Sequence, residues 1–264
     1  MKTKHYINFF IALTLALSAC KKSNSVGTTD TPVTVTQKYL VHVSTISTVP
    51  GVGSSPPTTS TSTTDYTYDS KKRLSKIKSG SNASTYTYND SGDLFSIYST
   101  SGTAGSWSTT EFTYADGKLI SYNVKTFINN ALTYDNTFTY VYNGDKVTEL
   151  HQGLYYYLYT YDSNGNIAKV YNHGSTDYYL IYTYDNKKSR FAASPFKYPS
   201  FEPAGDRYSP NNRITSTTEG LTQNFLDSIA YTYDADGYPI TSSTSSDYKY
   251  TVTTQSTYTY STLQ

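Results

Sequence analysis

Tyr159-Thr160-Tyr161-Asp162-Ser163-Asn164-Gly165-Asn166-Ile167 reads as a strand, a tight turn and the start of a returning strand. Tyr159 and Tyr161 lie two apart and share one face of an extended chain, while Thr160 points the other way with a β-branched side chain suited to a pleated surface. Asp162 and Asn164 can bond their own backbone, Gly165 accepts positive φ, and Ile167 resumes the apolar pattern. Versions of the phrase begin at Tyr66, Tyr86, Phe112, Tyr140, Tyr159, Tyr182, Tyr231 and Tyr258, at intervals of 20, 26, 28, 19, 23, 49 and 27 residues. Periods of this length mark serial architectures in which no unit buries its apolar face alone. The spacing therefore predicts an all-β protein: serial antiparallel β-hairpin repeats forming one large curled meander sheet, an open barrel or a short β-shell. A sheet of roughly 14 to 16 strands should curl, because open twisted sheets rarely stay flat beyond about ten.

The returning strands fit less simply. Leu74 and Ile77, Leu94 and Ile97, Val147 and Leu150, and Ile167 and Val170 are three apart, which puts each pair on opposite faces of a regular strand. Either a bulge follows each turn, or both faces are partly covered because the sheet curls, and curling is the preferred reading. Two regions leave the repeat. Val33, Val35, Tyr39, Val41 and Val43 alternate as one N-terminal strand, followed by a loop from Pro50 to Thr64. Residues 186–228 fill the longest interval and carry Pro195, Pro199, Pro203 and Pro210 among aromatic residues. Proline cannot continue a ladder, so this insertion is expected to pack as a lid over the sheet, ahead of the alternative that it is a binding loop.

Composition narrows the function classes. Of 264 residues, 21 are Lys or Arg and 20 Asp or Glu, a net charge of +1 that offers no clustered basic surface for nucleic acid. Leu, Ile, Val and Phe make up under a fifth of the chain, whereas Tyr alone numbers 31, so Tyr must supply much of the buried surface. The N-terminus has its own character. Lys2 and Lys4 precede an apolar run from Ile7 to Leu17, the form of a signal peptide and too short to span a bilayer. Leu17-Ser18-Ala19-Cys20 resembles the lipobox of bacterial lipoproteins, which implies cleavage before Cys20 and acylation of that cysteine. Cys20 is the single cysteine, so no disulfide framework exists. The expected organisation is a signal peptide at 1–19, a Ser/Thr-rich flexible tether at 20–32 and a β domain at 33–264 that includes the insertion.

The phrase Tyr-x-Tyr-Asp with a Gly turn and a following Leu resembles the YD repeat of the RHS and wall-associated family. Together with the lipobox, Ser209-Pro210-Asn211-Asn212 and Tyr233-Asp234-Ala235-Asp236-Gly237-Tyr238-Pro239, the chain is similar to uncharacterised YD-repeat lipoproteins of Bacteroidetes. That resemblance implies a lipid-anchored protein of the cell envelope, on either face of the outer membrane. Ala115, Asn143 and Ser261 replace the repeat's Asp, which argues against any role for that Asp beyond forming the turn.

Chemistry-bearing motifs are scarce. His42, His151 and His173 have no metal-ligand spacing, and Asp162-Ser163-Asn164-Gly165-Asn166 lacks the remaining ligands of a calcium loop. Ser75-Lys76-Ile77-Lys78 matches a nucleophile pattern on a returning strand without supporting motifs. Nothing calls for a metal or a cofactor, and the chain is read as no enzyme. The remaining candidates are Tyr155, Tyr156, Tyr157, Tyr178 and Tyr179, the densest Tyr cluster, and Trp107 in a Gly/Ser/Thr stretch. Rings with hydroxyl tips can stack on sugars or grip polypeptide with little entropy loss. The expected role is non-catalytic binding of a glycan or protein, or a structural role in the envelope. The alternatives are a carbohydrate-active hydrolase, which needs two carboxylates facing one cleft, and a shell for a secreted toxin.

Overall fold

The computed structural model describes residues 37–51, 53–174, 176–193, 208–221, 225–248 and 250–264. Cys20, the signal peptide, the tether, Val33, Val35 and the central prolines of the insertion lie outside these. The described residues form sixteen strands: β1 (Tyr39–Val49), β2 (Thr58–Tyr68), β3 (Leu74–Ser79), β4 (Asn82–Tyr88), β5 (Leu94–Thr100), β6 (Trp107–Ala115), β7 (Lys118–Ile128), β8 (Ala131–Asn143), β9 (Lys146–Gln152), β10 (Tyr155–Tyr161), β11 (Ile167–His173), β12 (Tyr178–Tyr184), β13 (Arg213–Glu219), β14 (Leu226–Tyr233), β15 (Pro239–Tyr248) and β16 (Tyr250–Ser261). Each pairs antiparallel with its chain neighbours, and β1 pairs with β16, so the meander closes into a barrel.

Closure follows the phase of the repeat. Each phrase strand runs into a turn and pairs with the strand returning from it, and the last phrase, Tyr258-Thr259-Tyr260, finds its returning strand in β1. Leu40 opposes Tyr260 as Leu74 opposes Tyr68 and Ile167 opposes Tyr161. Eight phrases thus make eight hairpins, the eighth assembled from the two ends of the barrel. The stretch from Pro50 to Thr64, expected as a loop, already enters β2 at Thr58, because β1 needs a ladder partner on its other edge.

The three-residue spacing of the returning strands has a local cause. Thr67 pairs with Lys76 but Tyr68 with Leu74, leaving Ser75 as an extra residue. The same slip leaves out Phe95, Ile120, Thr148, Ala168, Ile214 and Ile240 in other hairpins and Val41 in β1. A bulge follows each phrase turn, in place of the preferred reading that both faces are covered by curling. One inserted residue turns i, i+3 into same-face neighbours, so Val147 with Leu150 and Ile167 with Val170 all point inward and are buried.

Inside, the turn end is packed. Leu119, Tyr122, Phe138, Tyr140, Val147, Leu150, Tyr159, Ile167, Val170 and Tyr182 form one cluster, and Leu40, Val43, Phe191 and Tyr258 a second. The second Tyr of the phrase works as a latch between repeats. Its hydroxyl donates to the carbonyl of the returning residue that opposes the second Tyr one hairpin back, as in Tyr68 to Leu40 (2.8 Å), Tyr88 to Leu74 (2.7 Å), Tyr114 to Leu94 (2.9 Å), Tyr142 to Leu119 (2.6 Å), Tyr161 to Val147 (2.6 Å) and Tyr184 to Ile167 (2.8 Å). A bulge needs such a partner for a carbonyl that leaves the ladder, and a buried ring needs one for its hydroxyl. Cations roof several of these rings: Arg73 lies 4.1 Å from the centroid of Tyr88, Lys146 5.1 Å from Tyr161 and Lys118 5.4 Å from Tyr142. The middle residue of each phrase faces out, and Thr67, Thr87, Thr113, Thr160, Thr183, Thr232 and Thr259 are all exposed.

The repeat's Asp is a turn cap. Asp162 Oδ1 accepts from the backbone N–H of Asn164 and Asn166 (both 2.9 Å) and its Oδ2 from Asn166 Nδ2 (2.8 Å). Asp69 and Asp234 hold their turns the same way, and the Asn89 side-chain oxygen does so for Asp93 N. The insertion keeps the cap. Asp185 accepts from Lys187 N (2.9 Å) and from Asn212 N (3.1 Å), so the two described ends of the insertion meet as the ends of a phrase turn do. Residues 186–228, expected to lie wholly outside the repeat, therefore supply its returning strand β13 and the first residues of β14. The described ends of the insertion pack on the core through Phe191 and Tyr208.

Burial pushes the Asp69, Asp162 and Asp234 carboxyls up, but hydrogen bonds from Arg73, Asn166 and Lys38 outweigh it and leave all three below the usual range. A folded value below the unfolded one of about 3.9 stabilises the fold above roughly pH 5, and the gain is lost as pH falls through 4 and below. Asp162→Ala is expected to cost about 1–2 kcal/mol. Asp162→Asn should keep the turn, as Asn89 does, while flattening the acid limb of a stability-versus-pH curve followed by circular dichroism.

Candidate functional site

The end of the barrel away from the phrase turns is uneven. The β7–β8 hairpin runs to Ile128 and Ala131, whereas the next hairpin, β9–β10, turns at Gly153-Leu154. β8 pairs with β7 from Ala131 to Thr139 but with β9 only from Thr139 onward. Below the step lies a cavity of about 480 Å³, lined by Asn136, Gln152, Gly153, Leu154, Tyr155, His173 and Gly174. That volume falls within the usual range for ligand sites.

Inward residues at this end are polar, in contrast to the turn end. Phe138 and Tyr140 are buried in the core, and Asn136 and Tyr134 continue the same face of β8 toward the rim. Tyr134 accepts a hydrogen bond through its hydroxyl from Gln152 Nε2 at 3.0 Å, joining β8 to the end of β9. Tyr157 and Tyr178 share this inward face, and burial, together with the neighbouring Tyr178 and Tyr134, raises the Tyr157 pKa. Leu154 at the tip of the turn is 88% exposed, which a packing role does not explain. Tyr155 is exposed and its ring lies over Gly174, where an added Cβ would sit 3.4 Å from it.

The Tyr cluster singled out in the sequence is thus divided. Tyr155, Tyr157 and Tyr178 belong to the inner rim, while Tyr156 and Tyr179 are outside, since successive strand residues alternate. Outside, Tyr156 is stacked between His151 (5.4 Å) and His173 (4.6 Å), and each imidazole meets a carboxylate, Glu149 at 2.6 Å and Asp177 at 2.9 Å. Tyr179 packs on Tyr171 (4.9 Å) under Lys169 Nζ (3.8 Å), and the hydrogen bond to Asp177 pushes Tyr171 up to about 12. Trp107 is elsewhere: it stacks on Phe127 (3.8 Å) beside Tyr98, on the outer face of β5 to β7. Tyr134, Asn136, Gln152 and Leu154 were not legible as site residues. Their only signal is the unequal length of successive hairpins, 11 and 13 residues in β7 and β8 against 7 and 7 in β9 and β10.

No family model and no curated protein sequence matches the chain. Among solved structures, it is similar to a porin-like protein from Bacteroides uniformis, 15% identical over 84% of this chain and 96% of that one, with a TM-score of 0.54. It is also similar to a porin-like protein from Bacteroides vulgatus, 12% identical over 86% of this chain and 100% of that one, with a TM-score of 0.51. The likeness is one of fold. A membrane-spanning barrel needs an outward apolar band roughly 25 Å tall. The outward rows here carry the exposed Thr of every phrase but one, with Lys76 and Lys78 on β3 and Thr59, Thr61 and Thr63 on β2. Exposed apolar side chains, among them Ile46, Phe95, Tyr98 and Val141, are interspersed with them, and the inner turn end is packed.

Among the described residues, no group of three or more His, Cys, Asp or Glu is placed to hold a metal. The cavity lining presents two amides and a phenol. Such groups orient a neutral polar ligand by hydrogen bonds and ring contact.

Proposed function

We propose that the protein is a lipid-anchored component of the bacterial cell envelope that binds a polar chain molecule, a glycan or a polypeptide, at the stepped rim of its barrel without altering it chemically. The observation carrying this reading is the cavity of about 480 Å³ at the step beside β8. The resemblance of the N-terminus to a lipobox supports the anchor. Two or three acyl chains at about 0.8 kcal/mol per buried CH₂ suffice to hold it. The described chain enters the barrel at Lys38, which pairs with Asp234 (2.7 Å) and Asp236 (2.6 Å) of a phrase turn. The attachment point is therefore at the packed end, opposite the rim, an arrangement suited to presenting a site away from a membrane. A hydrolase draws less support, because Asp69, Asp162 and Asp234 are committed to turns. A toxin shell draws less as well, since the barrel's own rings fill its turn end.

The test uses the mature protein against a glycan array and a peptide library, with Tyr155→Ala and Gln152→Ala as variants. Loss of the hit by tenfold or more in Tyr155→Ala, with an unchanged melting temperature, is the expected result. Binding that is indifferent to both variants, or absent from both libraries, sinks the reading.

A further inference from the structure

The step leaves one strand with an open edge. Among the described residues, β8 has β7 on one side from Leu132 to Thr137 and no ladder on the other, and it touches no described strands besides β7 and β9. On that side alternate N–H and C=O groups point into the notch above the β9–β10 turn. The hairpin is held firm from behind: β6 pairs with β7 as far as Trp107 and Phe127, Asn130 N donates to Gly105 O at 2.8 Å, and the Asn123 side chain donates to Asp135 Oδ1 at 2.9 Å. An open edge on a fixed hairpin is a template already in strand geometry, so an added strand forms its bonds without the cost of ordering β8. β2 has a second open edge, since its ladder with β3 begins at Thr64, but it offers only Ser and Thr from Thr58 to Thr63. The cavity lies at β8.

Resting on the rim reading above, we propose that the rim ligand is an extended polypeptide that adds to β8 as an extra strand, standing end-on above Gly153-Leu154 where β9 would continue. Six residues along Leu132 to Thr137 span about 20 Å at roughly 3.4 Å each. Such a strand presents alternate side chains to the two faces. Its inward side chains meet Tyr134 and Asn136 and enter the cavity beside Gln152 and Tyr155. Its outward side chain opposite Asp135 has a carboxylate as cross-strand neighbour, so a Lys or Arg fits there and an Asp or Glu does not. Main-chain bonds supply affinity and the cavity and Asp135 supply selectivity, the division usual for strand addition. A glycan would use the cavity but leave the open edge unpaired.

The experiment takes fluorescent heptapeptides with alternating small or β-branched and variable residues, tested by anisotropy on the mature protein. Peptides with one Lys or Arg in the outward phase should bind, and N-methylation of alternate residues should abolish binding in one phase and leave it within threefold in the other. Asp135→Lys should reverse the charge preference to acidic peptides, and Tyr155→Ala should weaken binding tenfold without reversing it. Equal tolerance of N-methylation in both phases overturns strand addition. If a glycan binds in a Tyr155-dependent way and no peptide binds below 1 mM, the rim site stands and the peptide ligand is wrong. If neither binds, both readings fail. A concentration-dependent dimer that Asp135→Lys dissolves assigns the edge to a second copy and overturns the inference.

Discussion

Phe138→Ala is expected to lower the unfolding free energy by about 3–5 kcal/mol, the usual cost of deleting a fully buried aromatic ring. Phe138 is 1% exposed and lies face to face with Tyr122, ring centroids 4.7 Å apart at an interplanar angle of 10°. Tyr122 in turn meets Phe112 and Tyr140, so the ring that is lost packs on the centre of an aromatic row. The hole cannot close by local movement, because strands on both sides are fixed by ladders and by the Tyr142 latch to Leu119. Against a total stability of about 5–15 kcal/mol, the loss is large. Urea denaturation should show the midpoint falling with an unchanged slope. A change below 1 kcal/mol would mean that the interior is less tightly packed than its burial indicates. Phe138→Leu, which keeps most of the volume, should cost less than Phe138→Ala.

Removing 37–49 should have the larger effect. Those residues include Tyr39, Leu40 and Val43, all buried, each contributing roughly 1.5–3 kcal/mol. Their loss strips the ladders from β2 and β16 at once and uncovers Phe191 and Tyr258. The expected product has no cooperative thermal transition and binds a hydrophobic dye. The informative partner is a permutant. Joining residue 264 to residue 37 and opening the chain in the 50–57 loop places β1 directly after β16, and all eight hairpins become consecutive. Tyr39 already lies opposite Ser261, so the new turn spans a short gap. The permutant should unfold cooperatively within about 1 kcal/mol of the parent. If it fails to fold while expressing well, β1 is more than a displaced half of the eighth hairpin.

The hairpin grammar was legible because it is local. Asp162 capping Gly165 and the out-facing Thr160 depend only on neighbours in the chain, and they occur in the structure as the phrase implies. The inward pairing of Val147 with Leu150 was misread, because a bulge is recorded in the sequence only as a broken alternation, which curling explains equally well. The role of the second Tyr was hidden for a different reason. Its partner, a carbonyl on the returning strand one hairpin back, is backbone, and backbone has no letter. Closure was open between barrel and shell because the residues that decide it, Leu40 and Tyr260, are at opposite ends of the chain. The rim site was the least visible. Asn136 and Gln152 become a site only through a difference in hairpin lengths, and Tyr155, Tyr156 and Tyr157, adjacent in sequence, divide between inner and outer faces.

The offset between chain order and repeat order has a consequence for how the molecule is made. β1 emerges among the first parts of the barrel yet has no partner on one edge until β16 is complete, more than two hundred residues later. Contacts of that separation slow folding. An unfinished or clipped chain therefore cannot hide its fault: it carries an unsatisfied edge at each end and an uncovered Phe191. The join between first and last strands acts as an inspection seal, intact only when every repeat has been delivered.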